Sequence, residues 1–98
     1  MKKFCLFKLH EYMDMYPTNH IRMMEGENEE AIEKTAIGFA QHMNKNYSGG
    51  TTTYIGIMTA EEAKESIEKL IDDPKLGRCS DEEEVKFWEM YEECYGTK

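Results

Sequence analysis

A strand that runs directly into a capped helix, Thr53 to Asp73, sets most of what this chain can become. Tyr54-Ile55-Gly56-Ile57-Met58 carries the branched and aromatic side chains that suit a pleated surface. Thr59-Ala60-Glu61-Glu62 follows as a capping box. In that motif the Thr59 hydroxyl accepts from the amide of Glu62, and the Glu62 carboxylate accepts from the amide of Thr59. Beyond it Ala63, Ile67, Leu70 and Ile71 fall on one side of a helix, and Pro74 stops it.

Upstream, Lys3 to Tyr12 reads as a first strand, with Phe4 and Leu6 on one face and Cys5, Phe7 and Leu9 on the other. It is apolar on both faces. Met13 to Asn19, which contains Pro17, reads as a connection. His20 to Glu25 is a weaker second strand in which Ile21 and Met23 alternate with Arg22 and Met24, and Gly26 ends it. Asn28 is an N-cap for the first helix, with Glu29 and Glu30 opposing the positive helix end. Ile32, Ala36, Phe39, Ala40 and Met43 define its buried stripe, and Gly38 is expected opposite that stripe or at a close backbone approach. Asn44 to Thr53 reads as a polar connection centred on Gly49-Gly50. A strand, a helix and a strand make a crossover unit, so the second and third strands are expected to run parallel with a right-handed connection.

After the second helix, 73–79 reads as a linker with Pro74 and Gly77, and Ser80-Asp81-Glu82-Glu83 is a second capping box. A third helix follows, its apolar face formed by Val85, Trp88, Tyr91 and Tyr95, widened by Phe87 and Cys94 and anchored to the sheet by Trp88. Gly96 ends it. The expected fold is one α+β domain over residues 1–98, a small mixed three-stranded sheet with three helices in the order ββαβαα.

The 98 residues are enough for a single core without disulfides or metal, and a 40% hydrophobic share argues for a folded chain. Cys5, Cys79 and Cys94 are odd in number and far apart, which suits free thiols in a reducing cytoplasm. Lys8 breaks the short apolar run Phe4 to Phe7, so neither a secretion signal nor a membrane span is read and a cytoplasmic location is expected. The net charge is −8. Residues 1–24 hold Lys2, Lys3, Lys8 and Arg22 against Glu11 and Asp14, a balance of +2 that leaves −10 on the remaining 74. That balance argues against direct binding of nucleic acid, which needs a basic patch, and leaves a basic protein surface as a partner; with no span read, no membrane partner is expected.

No catalytic motif or cofactor fingerprint is present, and the chain reads as non-enzymatic, with no catalytic residue, cofactor or metal site assigned. Gly49-Gly50-Thr51-Thr52-Thr53 invites a phosphate-loop reading, but it leads from a helix into a strand and lacks the lysine, so a flexible loop is expected. His10-Glu11-Tyr12-Met13-Asp14 resembles half of a zinc-protease helix, with an aspartate in place of the second histidine and no third ligand. The remaining cysteines and histidines, His20 and His42 among them, lack paired ligand spacing. Met13, Met15, Met23 and Met24, with Tyr12 and Tyr16 between them, suit either an adaptable binding surface or gap-filling in a small core, and gap-filling is the favoured expectation.

The acidic residues carry the pattern most worth pursuing. At 100° per residue Glu61, Glu65, Glu68 and Asp72 form a row opposite the apolar side of the second helix. Glu82, Glu89 and Glu93 form a similar row on the third, joined at its start by Asp81. Carboxylates one helical turn apart sit about 5–6 Å from each other, close to the separation of neighbouring phosphates along a nucleic-acid strand. Lys64, Lys69 and Lys86 interrupt these rows, as they would on an ordinary solvated face. In being short, acidic and methionine-rich the chain resembles many small phage or mobile-element proteins, some of which inhibit host defence nucleases by binding them; the resemblance is one of general character and rests on no motif.

The expectation is therefore a protein-binding module, most concretely an inhibitor that docks its acidic helical faces on a nucleic-acid-handling protein. One alternative is a small-ligand or nucleotide-binding domain that uses the Gly49–Thr53 loop. Another is a homo-oligomeric assembly subunit, because an apolar first strand protected only by Lys8 would leave an edge for a helix or a second copy to cover.

Overall fold

The computed structural model describes residues 1–13, 15–71 and 81–96. It has an α+β fold with a three-stranded sheet and three helices: β1 (Lys2–Glu11), β2 (Thr18–Glu25), α1 (Glu29–Asn46), β3 (Gly50–Ile57), α2 (Ala60–Ile71) and α3 (Asp81–Tyr95). The elements fall into two compact units, Met1–Ile57 and Met58–Lys98.

In the first unit the strand order is β2-β1-β3. Both ladders are antiparallel, so β2 and β3 run in the same direction on either side of β1. The crossover through α1 thus connects parallel strands as expected, with β1 placed between them. This placement corrects the expectation of an exposed edge on the first strand. The strand with apolar side chains on both faces, Phe4 on one and Cys5 and Phe7 on the other, takes the central position, and all three are buried. The edges belong to the more polar β2 and β3.

The register is continuous between β1 and β2, from Lys2 opposite Glu25 to Leu9 opposite Thr18. Between β1 and β3 it shifts by one residue: Leu6 faces Gly56 and Phe7 faces Tyr54, which leaves Ile55 as an extra residue on β3. Such a bulge breaks the period of two. Tyr54 and Ile57, three residues apart, therefore both pack on the core that contains Cys5 and Phe7, while Ile55 is half exposed.

The α1 helix begins as its sequence dictates, with the Asn28 side chain accepting from the amide of Ala31 at 2.9 Å. Ile32, Ala36 and Ala40 are buried with Cys5 and Phe7, and Phe39 meets Phe7 edge-on at 5.3 Å between ring centroids. Burial of a side chain such as Phe7 or Ile32 contributes about 1.5–3 kcal/mol. Gly38 lies exposed on the opposite side of the helix, with open space around its Cα.

The stretch expected as a flexible loop is instead the first half of β3. Gly50 to Thr53 pairs with Leu9 opposite Thr52 and Glu11 opposite Gly50. Two local features draw it in: the Asn44 side chain binds the backbone of Thr52, and Gly50 lets the strands approach closely.

In the second unit the capping box forms as read. Thr59 N–H donates to Glu62 Oε1 at 3.3 Å, and Glu62 N–H donates to Thr59 Oγ1 at 3.2 Å. Ala63 and Ile67 are buried, and α2 packs on α3. The Tyr95 hydroxyl donates to the Met58 carbonyl at 2.7 Å, tying the end of α3 to the residue before the cap. On α3, Trp88 stacks edge-on against Tyr91, Tyr91 packs on Tyr95, and Cys94 is buried. Val85, expected on the apolar face, is 55% exposed. At 100° per residue it lies about 170° from the direction shared by half-buried Phe87 and buried Cys94, which turns it outward. The linker at 73–79, Asp72 and the Ser80 position of the second capping box lie outside the described residues.

Candidate functional site

Charge divides along the boundary between the two units. Met1–Ile57 holds six basic and seven acidic residues, a net charge of −1, and Met58–Lys98 holds six and thirteen, a net charge of −7. The second unit thus carries nearly all of the chain's excess of −8.

Burial of Ala63 and Ile67 orients α2 so that Glu61, Glu65 and Glu68 are exposed on its other side. Asp72, the fourth member of the expected row, lies outside the described residues. Lys69 pairs with Glu65 at 3.1 Å across one helical turn, an exposed contact of the kind that contributes only about 0.3–0.5 kcal/mol. On α3, Asp81, Glu82, Glu89 and Glu93 are exposed. Val85 and Lys86 join Asp81, Glu82 and Glu89 in lining a shallow groove along the solvent side of that helix. The expected carboxylates are therefore presented on the surfaces of two packed helices, with an exposed valine among those of α3.

The first unit holds a second feature, one that the spacing arguments missed. A cleft of about 220 Å³ opens between α1 and the sheet, walled by Phe7, Phe39, Met43 and Tyr47, with His20 and Arg22 from β2. It exists because α1 packs mainly on β3, which leaves the β2 side of that sheet face less covered. Arg22 lies over the Phe39 ring at 4.7 Å, a cation–π contact. His20 Nε2 shares a hydrogen bond with Thr18 Oγ1 at 3.1 Å. The signal available in the sequence was the alternation of β2, which puts His20 and Arg22 on the same face as the core residue Met24. Polar side chains on a core-facing row mark a place where the core stops.

The third feature is the turn between β1 and β2. Met13 is 96% exposed and Met15 85%, with Tyr12 and Tyr16 also exposed. These two methionines do not plug a core, which corrects the favoured expectation. The hairpin carries them past the end of the sheet, whereas Met23 and Met24, inside β2, are half-buried.

The remaining candidates come apart in three dimensions. His10 and Glu11 end β1, and Asp14 lies outside the described residues. Cys5 and Cys94 are buried and not joined in a disulfide, and Cys79 lies outside the described residues. Among the described residues no three His, Cys, Asp or Glu side chains converge as a metal ion requires. No helix among them is long and apolar enough to cross a membrane. The Gly49–Thr53 run leads into no helix N-terminus: the Gly49 carbonyl accepts from Tyr12 N–H at 3.0 Å, and Gly50 to Thr53 is committed to β3. Beside the core, burial together with the charges of Cys5 and Glu33 pushes the Tyr54 phenol up to about 12, and its hydroxyl donates to Glu33 Oε1 at 3.4 Å.

Comparison with protein-family models, curated proteins and solved structures finds no match.

Proposed function

We propose that this chain is a non-enzymatic protein-binding module whose acidic helices dock on a basic surface of a nucleic-acid-handling protein. The observation that carries the reading is the concentration of charge: a net −7 within Met58–Lys98, with Glu61, Glu65 and Glu68 of α2 and Glu82, Glu89 and Glu93 of α3 all facing solvent. Carboxylates at helical-turn spacing present negative charge at intervals similar to those of a phosphate backbone. A groove built to hold that backbone attracts them for the same reason. Docked there, the chain excludes the nucleic acid and acts as an inhibitor, the mode of action found among small phage and mobile-element proteins of this general character.

The test is a pull-down from host lysate with the parent chain and with the triple variant Glu61→Lys, Glu65→Lys, Glu68→Lys. The partner retained by the parent should elute as salt rises, because screening shortens the reach of the attraction to about 10 Å at 0.1 M. The triple variant should bind it at least tenfold more weakly, through slower encounter and like-charge contact. Equal retention of that partner by the triple variant sinks the proposal.

A further inference from the structure

The cleft beside α1 is independent of the acidic helices, and its chemistry is of the opposite sign. Phe7, Phe39, Met43 and Tyr47 supply apolar walls, and no carboxylate lines it. Arg22 stands on its β2 side, a guanidinium without an ion-pair partner among the described residues, lying over the Phe39 ring. A cation–π contact uses the face of the guanidinium and none of its N–H donors, which can bind a carboxylate through two parallel hydrogen bonds. His20, two residues along the same face of β2, places a second nitrogen-bearing ring at the same wall.

We propose that this cleft binds a small carboxylic acid with a compact apolar body, its carboxylate on Arg22 and its ring or branched chain between Phe39, Met43 and Tyr47. Three observations narrow the ligand to this class. A volume of about 220 Å³ lies below the roughly 300–1,000 Å³ of pockets that hold drug-sized molecules. That excludes a nucleotide and admits a single ring or a short branched chain. The walls are apolar, so the body of the ligand must be apolar, because a polar body would lose its water without regaining hydrogen bonds. The unpaired charge at the wall is positive, so the head group must be an anion. The surrounding unit permits this, since it carries a net charge of −1 against −7 for Met58–Lys98.

The cleft also has a reason to be there. On that sheet face the small side chains Ala36 and Ala40 draw α1 close to the strands. Beside this stripe the longer Phe39 and Met43 line the cleft, and β2 answers them with His20 and Arg22 rather than with further apolar bulk. The gap is therefore held open by side chains on regular elements, which keeps it preformed.

The experiment is a titration of the full chain, followed by backbone amide resonances, with phenylacetate as the probe and phenylacetamide as its uncharged counterpart. Phenylacetate should give saturable shifts at Phe39, Met43, Tyr47 and Thr52 with a dissociation constant on the order of 1 mM or tighter. Phenylacetamide should bind about tenfold more weakly, and Arg22→Gln should weaken phenylacetate by a similar factor while Arg22→Lys retains part of the affinity. Since the amide comparison uses the unaltered chain, the proposal stays testable even if a variant folds poorly. An absence of saturable shifts up to about 10 mM, shifts centred away from these residues, or equal binding of the acid and the amide overturns it.

Discussion

The side-chain amide of Asn44 satisfies both backbone groups of Thr52. Its Nδ2–H donates to the Thr52 carbonyl at 2.8 Å, and Thr52 N–H donates to its Oδ1 at 2.7 Å. On an edge strand those two groups would otherwise face water or another chain, so one asparagine near the end of α1 stands in for a neighbouring strand at that point. The same pair of bonds fixes where β3 starts, only three residues after the helix that precedes it.

Asn44→Ala should therefore destabilise the chain by about 1–3 kcal/mol, two part-buried hydrogen bonds at roughly 0.5–1.5 each. Asn44→Asp keeps the acceptor but sets a carboxylate against the Thr52 carbonyl, and should cost at least as much at neutral pH. Urea denaturation measures both, and hydrogen exchange at Thr52 should accelerate in each variant. A change below about 0.5 kcal/mol in both would mean that the edge does not depend on the clamp.

Two glycines should respond to alanine with opposite signs. A Cβ on Gly50 would lie 2.7 Å from the His10 carbonyl oxygen and 3.0 Å from the Glu11 Cα. Both are backbone atoms of the central strand, so the ladder itself must shift, and a loss above about 2 kcal/mol is expected. Gly38 sits on the exposed side of α1 with nothing within 4 Å of the added carbon. There alanine should stabilise by about 0.5–1 kcal/mol, the difference in helix propensity. Paired thermal melts of the two variants check the contrast, and a neutral Gly50→Ala would remove the close approach from the account of why β3 begins where it does.

These residues also mark where the sequence was and was not legible. Local signals were read correctly where the partner lies within a turn: the Asn28 cap, the Thr59–Glu62 box and the 32/36/40 stripe each depend on residues three or four apart. The errors arose where the deciding partner is distant in sequence. Gly50 to Thr53 reads as a loop because the Gly49-Gly50 pair punctuates a polar stretch, but its three threonines suit a strand, and the Asn44 side chain and the β1 backbone draw it into one. Val85 is apolar and so expected inward, but the burial of Cys94, with Phe87 half-buried on the same side, sets the rotation of α3. Of the candidate surfaces, the acidic rows follow from helical spacing, whereas the β2 alternation signals only that the core stops at His20 and Arg22; the cleft itself depends on α1 lying toward β3.

Tyr54 should titrate late. Its phenol is pushed up to about 12 by burial and by the charges of Cys5 and Glu33. In the unfolded chain it ionises near pH 10. Between those values the unfolded state has lost the proton that the folded state still holds, so stability falls as pH rises from about 10 to about 12 and is unaffected by this group below 10. Ultraviolet titration of phenolate should show a tyrosine step well above pH 10, near 12. Tyr54→Phe should remove that late step and flatten the alkaline loss of stability. A titration of the parent in which every tyrosine ionises near pH 10 while the fold is intact would contradict the environment described for this side chain.

Methionine oxidation should follow position along the chain's two kinds of surroundings. Met13 and Met15 project from the β1–β2 turn at 96% and 85% exposure, whereas Met58 is 3% exposed. Peroxide reaches a thioether in proportion to its access, so the turn methionines should become sulfoxides first, and the amide spectrum of the strands should stay unchanged as they do. Met58 should resist until the structure opens, because a polar sulfoxide at a buried position is not accommodated without disrupting packing. Peptide mass spectrometry over a time course gives the order directly. The same geometry predicts that Met13→Ser together with Met15→Ser alters stability by no more than about 0.5 kcal/mol. If those side chains filled core gaps, each truncation would cost about 2–5 kcal/mol. A large loss in the double variant, or oxidation of Met58 alongside Met13, would return these methionines to the interior and remove the exposed turn as a surface on which a partner could close.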